Sequence, residues 1–244
     1  SDPLGEVRAA VPVGEELSAL PEDTVACWVQ PMPRDPVPAA WSRLVPAWKP
    51  DEAVDATLGA RMLVAVGPCG WSEGKLTLDQ LPVERLVAPV QVIDVSAKAA
   101  QDRDYRVSVE DIALWESAHT NIAENSIVVI RTGWGKFWPD RKQYLGSDVK
   151  GDISNLHFPG LSKDAAELLV TRKIAGLGID TASMDYGPSK DFIVHQVLNG
   201  ANIYGIENIA NAEKLPETGA ALIVMPMKIG EGSGGPARVV ALLP

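Results

Sequence analysis

The chain holds three histidines, His119, His157 and His195, so any chemistry that needs imidazole must use one of them. His195 stands among Ile193, Val194, Val197 and Leu198, the apolar face of a short helix, where a histidine reads first as a packed core residue. Glu207 changes that weighting. It follows His195 by twelve residues, in Tyr204-Gly-Ile-Glu-Asn208, among apolar neighbours. A buried carboxylate is costly unless it is paired or binds a metal. An imidazole and a carboxylate converging on one point suit Zn²⁺ or Mn²⁺. His119, near the end of an exposed helix, reads as solvated or capping. His157, in His157-Phe-Pro-Gly-Leu-Ser162, reads as a loop residue at the entry to a helix.

Gly230-Glu-Gly232-Ser-Gly-Gly235 matches the letters of a dinucleotide fingerprint. That fingerprint must follow a strand and open a helix. Pro236 and a final strand follow instead, so the reading is a tight turn, or a loop whose N–H groups face an anionic oxygen. Cys27 and Cys69 fit no metal or redox spacing and read as buried thiols, with one disulfide as the alternative. A Cys69–His195 nucleophile and base pair is a third option, although nothing in the sequence places the two together.

The elements that must position these residues alternate between helix and strand. Residues 1 to about 60 are rich in Pro and Ala. Val25 to Val29 reads as a short strand, and Pro31, Pro33, Pro36 and Pro38 impose an extended path. Arg61 to Gly67 reads as a buried strand, and Leu86 to Val95 as one that starts after Pro89. Ser108-Val-Glu-Asp111 resembles a capping box and opens a helix that turns Ile112, Ala113 and Trp115 inward. Ile127 to Arg131 is a core strand, and Tyr144 to Asn155 a polar loop. Ser162 caps a helix with Ala165, Leu168 and Leu169 at helical spacing. Ile174 to Asp180 is a strand and Phe192 to Leu198 a short helix. Ala221 to Met227 and Val239 to Leu243 are strands. The pattern is α/β with a mixed sheet. Without repeats or a low-complexity linker, residues 1–244 read as one domain.

Apolar residues make up 46% of the chain and charged residues 22%, which allows a sizeable core. The formal net charge is −10. It disfavours nucleic acid and anionic lipid as partners, and no Lys/Arg cluster offsets it. No apolar run approaches the roughly 18 residues that span a bilayer. Ser1-Asp2-Pro3-Leu4 has no signal-peptide pattern, so a removed leader or an appended segment is expected there. A soluble protein follows, with the cytoplasm favoured over secretion.

From Asp79 to Pro244 the chain resembles the cyclase family of bacterial kynurenine formamidases and isatin hydrolases. The matching pieces are Leu81-Pro-Val-Glu-Arg-Leu86, Val92-Ile-Asp-Val95, Arg131-Thr-Gly-Trp134, Phe158-Pro-Gly-Leu-Ser162, Gly178-Ile-Asp-Thr181 with Ser183 and Asp185, Val194-His195, Glu207-Asn208, and Gly232-Ser-Gly-Gly-Pro236 with Arg238. The resemblance implies a swivelling β/β/α fold with a mixed, barrel-like sheet. It also implies a homo-oligomer and hydrolysis of an aromatic amide, formamide or cyclic imide. The family holds its metal with a first-half motif H-x-G-T-H-x-D-A-P plus a later His and Glu, which here match His195 and Glu207. Ser233 and neighbouring N–H groups would hold a carboxylate or oxyanion.

The first-half motif departs from the family. Its His, Gly-Thr, His and Asp fall on Ala60, Met62-Leu63, Val64 and Val66, and only Pro68 matches. With His195 and Glu207 alone, a Zn or Mn site would be weak and incomplete. Asp51, Glu52 and Asp55 are the nearest substitute ligands, and otherwise form a solvated acidic turn. A catalytically silent relative that binds a small aromatic molecule or a protein partner is the alternative to a hydrolase.

Overall fold

The computed structural model describes the backbone of residues 56–65 and, in full, residues 74–149 and 152–244. The readings at Val25–Val29, at the proline-rich segment, at Asp51, Glu52 and Asp55, and at Cys27 and Cys69 lie outside the described residues. The described residues belong to one compact unit, Asp35–Pro244.

Nine strands and six helices carry the fold among the described residues. In chain order they are β1 (Ala56–Ala65), α1 (Val83–Leu86), β2 (Val87–Asp94), α2 (Ser96–Ala99), β3 (Arg106–Val107), α3 (Val109–Ala118), β4 (Ile127–Arg131), α4 (Arg141–Leu145), β5 (Gly160–Leu161), α5 (Lys163–Thr171), β6 (Gly176–Ile179), α6 (Ile193–Gly200), β7 (Tyr204–Glu207), β8 (Ala221–Pro226) and β9 (Gly234–Leu242). Seven strands close into a barrel in the order β1-β7-β6-β4-β2-β8-β9, and β3 pairs with β5 apart from it. The sheet is mixed, as the sequence implies. β2, β4, β6 and β7 run parallel. β1, β8 and β9 join them antiparallel.

Strand alternation sorts the core into two layers. Ile127 and Val129 of β4 join Val90, Val92, Ile206, Leu222 and Val239 in one cluster. Val128 and Ile130 of the same strand join Leu177, Ile179, Leu169, Val194 and Leu198 in another, which seats α5 and α6 on the sheet. Each fully buried branched side chain contributes about 1.5–3 kcal/mol relative to exposure. The barrel therefore holds the C-terminal ends of its parallel strands in fixed positions.

Local chemistry fixes the helices as their sequences suggest. Ser108 Oγ accepts the Asp111 N–H at 3.4 Å, and Asp111 Oδ2 accepts the Ser108 N–H at 2.8 Å. That reciprocal pair opens α3. Ile112 and Trp115 are buried, but Ala113 faces solvent, because a third inward residue would fall off the helical stripe. Ser162 Oγ caps α5 through the Ala165 N–H at 3.2 Å. β2 begins at Val87 and so includes Pro89, which pairs opposite Ala221. Proline is tolerated there because the next donor, the Val90 N–H, makes the ladder bond to Ala220 O at 2.9 Å.

Candidate active site

Glu207 is the last residue of β7 and lies in register opposite Leu63 of β1. β1 spells Ala-Thr-Leu-Gly-Ala-Arg-Met-Leu-Val-Ala. The segment beside Glu207 thus brings no His, Cys, Asp or Glu.

His195 sits in the first turn of α6. The N-cap position of that helix is Phe192, at φ 51° and without a capping side-chain hydrogen bond. Asp185 caps from a distance. Its Oδ1 accepts the Val194 N–H at 2.9 Å, and its Oδ2 accepts the His195 N–H at 3.1 Å. The same Oδ2 lies 2.6 Å from the His195 ring Nδ1. On the other side of the ring, Nε2 is 3.2 Å from Glu207 Oε1. Glu207 Oε1 also accepts the Met184 N–H at 3.1 Å.

All three side chains are buried, with residue exposures of 8% for His195, 2% for Asp185 and 4% for Glu207. One imidazole therefore lies between two buried carboxylates. Burial by itself lowers the basicity of His195. The hydrogen bonds and charges of Asp185 and Glu207 outweigh it and push the ring up to about 10. At neutral pH the ring is an imidazolium, with Nδ1–H held by Asp185 and Nε2–H directed at Glu207.

A second polar knot adjoins this one. Asp180, just past β6, accepts the Thr132 N–H at 2.9 Å, the Thr132 hydroxyl at 2.6 Å and the Trp134 N–H at 3.1 Å. Burial pushes its carboxyl up against those bonds. The Tyr144 hydroxyl lies 3.0 Å from Asp180 O and 3.1 Å from Asn208 Oδ1. Burial, then the charges of Asp180 and Glu207, raise the Tyr144 phenol. A cleft of about 960 Å³ opens on this side, lined by Tyr144, Asp180, Asn208 and neighbours. His195 and Glu207 do not line it. We take the buried carboxylate–imidazole cluster as the reactive end, since ionisable groups held in a fixed acid–base arrangement define chemistry more directly than concavity does.

The structure thus brings His195 and Glu207 together, as their sequence context suggests. Asp185, which the sequence marks only as part of a matching piece, completes the cluster, and Tyr144 and Asn208 flank it. The signal for Asp185 is an acidic residue eight positions before a helix start that lacks its own capping side chain. Ser233 lies just before β9, across β1 from β7. The glycine run around it is a turn that opens a strand: the Gly232 N–H reaches Ile229 O at 3.1 Å, and β9 begins at Gly234. His119 stacks on Trp115 with ring centroids 4.5 Å apart and pairs with Glu217 at 3.0 Å. His157 pairs with Asp104 at 2.8 Å.

A divalent ion would find two first-rank donors here, His195 Nε2 and Glu207, where a catalytic zinc takes three protein ligands. Among the described residues no group of three or more His, Cys, Asp and Glu could hold a metal. The residues described do not by themselves fit a metal centre.

The closed barrel with helices packed on it defines a mixed-sheet α/β protein. The Cyclase family model matches residues 65–186, half of the chain, and the chain belongs to that family. An isatin hydrolase of Roseibium aggregatum is 39% identical over 170 residues, which are 68% of this chain and 63% of that protein. A kynurenine formamidase of Bacillus thuringiensis is 25% identical over 69% of this chain and 68% of its own length. An isatin hydrolase crystallised with the product analogue thioisatinate superimposes with a TM-score of 0.69 at 35% identity, over 75% of this chain and 71% of that one. The chain spans less than two thirds of the isatin hydrolase that it matches. The family match begins at residue 65, after most of the positions onto which the family's first-half metal motif falls. Among the described residues, no helix is long and apolar enough to cross a membrane.

Proposed function

We propose that the chain hydrolyses an aromatic amide, formamide or cyclic imide, the class named by its relatives isatin hydrolase and kynurenine formamidase. The observation that carries this reading is the buried imidazole held between two carboxylates at the C-terminal ends of β6 and β7. Burying two carboxylates costs several kcal/mol that a folded core does not require, and such an outlay is typical of a reacting site. Glu207 accepts a proton from the attacking water. His195, oriented by Asp185, donates from Nε2 to the departing nitrogen. An acid and a base side by side on one carbonyl accelerate hydrolysis by roughly 10²–10⁴-fold. A Zn or Mn ion on His195 Nε2 and Glu207 would exclude this role for the imidazole N–H, and it would need its remaining ligands from outside the described residues.

The second reading is a catalytically silent relative that binds a small aromatic molecule or a protein partner. The register of β1 favours it, since the strand opposite Glu207 brings no ligand residue. The two readings part in one assay. The purified protein is incubated with isatin, N-formylkynurenine and a simple aryl formamide, with and without added Zn²⁺ or Mn²⁺, and products are followed by absorbance. Hydrolysis of at least one compound is expected. No turnover of any, by a protein that melts cooperatively, would leave the silent reading. A homo-oligomer is part of the same proposal, read by light scattering.

A further inference from the structure

Asn208 follows Glu207 at the end of β7 and lines the cleft beside the acid–base cluster. That cleft lies past the carboxyl ends of β4, β6 and β7, which are parallel neighbours, and such ends are where α/β sheets receive ligands. The backbone of Asn208 is left-handed, at φ 60°, a conformation that asparagine tolerates better than most residues. Two hydrogen bonds hold it there. The Asn208 N–H reaches Thr181 O at 2.8 Å, and the Ile209 N–H reaches Ile179 O at 3.0 Å. Non-glycine residues kept in this region cluster at functional sites.

Tyr144 aims the side chain of Asn208. Tyr144 is buried, and its carbonyl accepts the Trp134 Nε1–H at 2.8 Å. From that fixed position its hydroxyl meets Asn208 Oδ1 at 3.1 Å. A carboxamide anchored through its oxygen turns its nitrogen the other way. Nδ2 carries two N–H donors, and among the described residues the Asn208 side chain bonds to Tyr144 through its oxygen alone. The bond from the phenol also polarises the amide, which strengthens Nδ2–H as a donor. Two other members of the lining, Asp180 and Glu213, are carboxylates and can only accept when ionised. Asp180 is committed to the Thr132 N–H, the Thr132 hydroxyl and the Trp134 N–H. The charge of Glu207 helps to raise the Tyr144 phenol, so clamp, amide and carboxylate share one neighbourhood.

We infer that Asn208 Nδ2–H donates to the carbonyl oxygen of the amide under attack and holds that oxygen as it becomes an oxyanion, with Tyr144 as the residue that positions it. The inference rests on the hydrolase reading for its chemistry and fills a role which that reading leaves open. As the water oxygen joins the carbonyl carbon, a water proton passes to Glu207 and the π pair of the C=O bond moves onto oxygen. Asn208 donates to that oxygen, where the charge develops. When the pair returns, the C–N bond breaks, its electrons leave with nitrogen, and nitrogen takes the proton of His195. Asn208 exchanges no proton at any point.

The test uses variants that keep the left-handed backbone. Asn208→Asp is isosteric and still accepts from Tyr144, but it has no N–H to give. Asn208→Gly removes the side chain and takes up positive φ freely. In steady-state hydrolysis both should lose kcat by about 10²–10³-fold, as removal of one oxyanion donor does, with KM moved by only about threefold or less. Tyr144→Phe, which releases the amide from its clamp, should fall between wild type and Asn208→Asp. Titration calorimetry adds a readout that needs no turnover. Oxindole carries an amide carbonyl, and indoline is the same ring system without it. Wild-type protein should bind oxindole at least about tenfold more tightly than indoline, and Asn208→Gly should bring the two within about threefold. Wild-type kcat in Asn208→Asp, an oxindole preference that survives Asn208→Gly, or no binding of oxindole at millimolar concentration would each overturn the inference. An oxindole preference that depends on Asn208, in a protein that turns over no substrate, would uphold the carbonyl site and refute the hydrolase reading alone.

Discussion

The position of His195 between Asp185 and Glu207 makes the stability of the metal-free protein depend on pH in a defined direction. The ring rises from an ordinary value of 6.5 in the unfolded chain to about 10 in the folded one. Folding therefore takes up a proton between those values. The stabilisation is fully present below pH 6.5 and is lost as pH rises through 10. Each unit corresponds to about 1.4 kcal/mol, so the ceiling is about 5 kcal/mol. The ring is almost buried, with its side chain 10% exposed, so solvent screening removes little of this. For a chain of this length, 1 kcal/mol moves the melting temperature by roughly 2–4 °C. Chelator-treated protein should lose on the order of 10 °C between pH 6.5 and pH 10. Tyr144 and Tyr204, both raised by burial, act above that window. The assay is differential scanning fluorimetry of wild type and His195→Gln across the window. The variant melts lower at pH 6.5, because it leaves two buried carboxylates without their cation, a loss of about 3–5 kcal/mol. Its pH slope should be much shallower, so that the two curves converge near pH 10. Parallel curves would refute the imidazolium assignment.

Two further outcomes follow from the same geometry. Asp180→Ala removes the acceptor of three buried donors, the Thr132 N–H and hydroxyl and the Trp134 N–H; at about 1–3 kcal/mol for each unsatisfied group, urea denaturation should show a loss of several kcal/mol, and a loss below 1 kcal/mol would mean that water replaces the carboxylate. Where the described residues, among which no group of three or more His, Cys, Asp and Glu could hold a metal, supply all the ligands, protein incubated with Zn²⁺ or Mn²⁺ and then desalted should retain far less than one ion per chain by elemental mass spectrometry. One ion per chain, lost in His195→Ala, would show that further residues, Asp51, Glu52 or Asp55 among them, complete a metal centre.

Much of this fold is legible in the sequence where local signals agree. Ile127 to Arg131 is a strand on composition alone and stands in both core layers. α3 and α5 begin where their capping serines predict. β7 was less visible: Tyr204-Gly-Ile-Glu is four residues long and contains a glycine, and its strand character comes from pairing with β1 and β6. Pro89 argued against the start of β2, yet its missing N–H falls where the ladder does not need one. α4 was hidden in what reads as the lead-in to a polar loop, since five residues with one buried side chain show no periodicity. At the site, the sequence singles out His195 and Glu207 as a buried ionisable pair. The part played by Asp185 depends on the helix geometry of α6, because one carboxylate caps the helix and clamps the ring together. Tyr144 reaches Asn208 because β4, β6 and β7 lie side by side in the sheet, a pairing far apart in sequence.

The central claim is that His195 and Glu207 form the acid–base pair of an aryl amide hydrolase. The most direct measurement is steady-state hydrolysis of the best substrate from the panel by wild type, Glu207→Gln and His195→Asn, each matched for folded fraction by circular dichroism. The account predicts a loss of kcat of at least about 10²-fold in both variants. Wild-type turnover in either variant would contradict it.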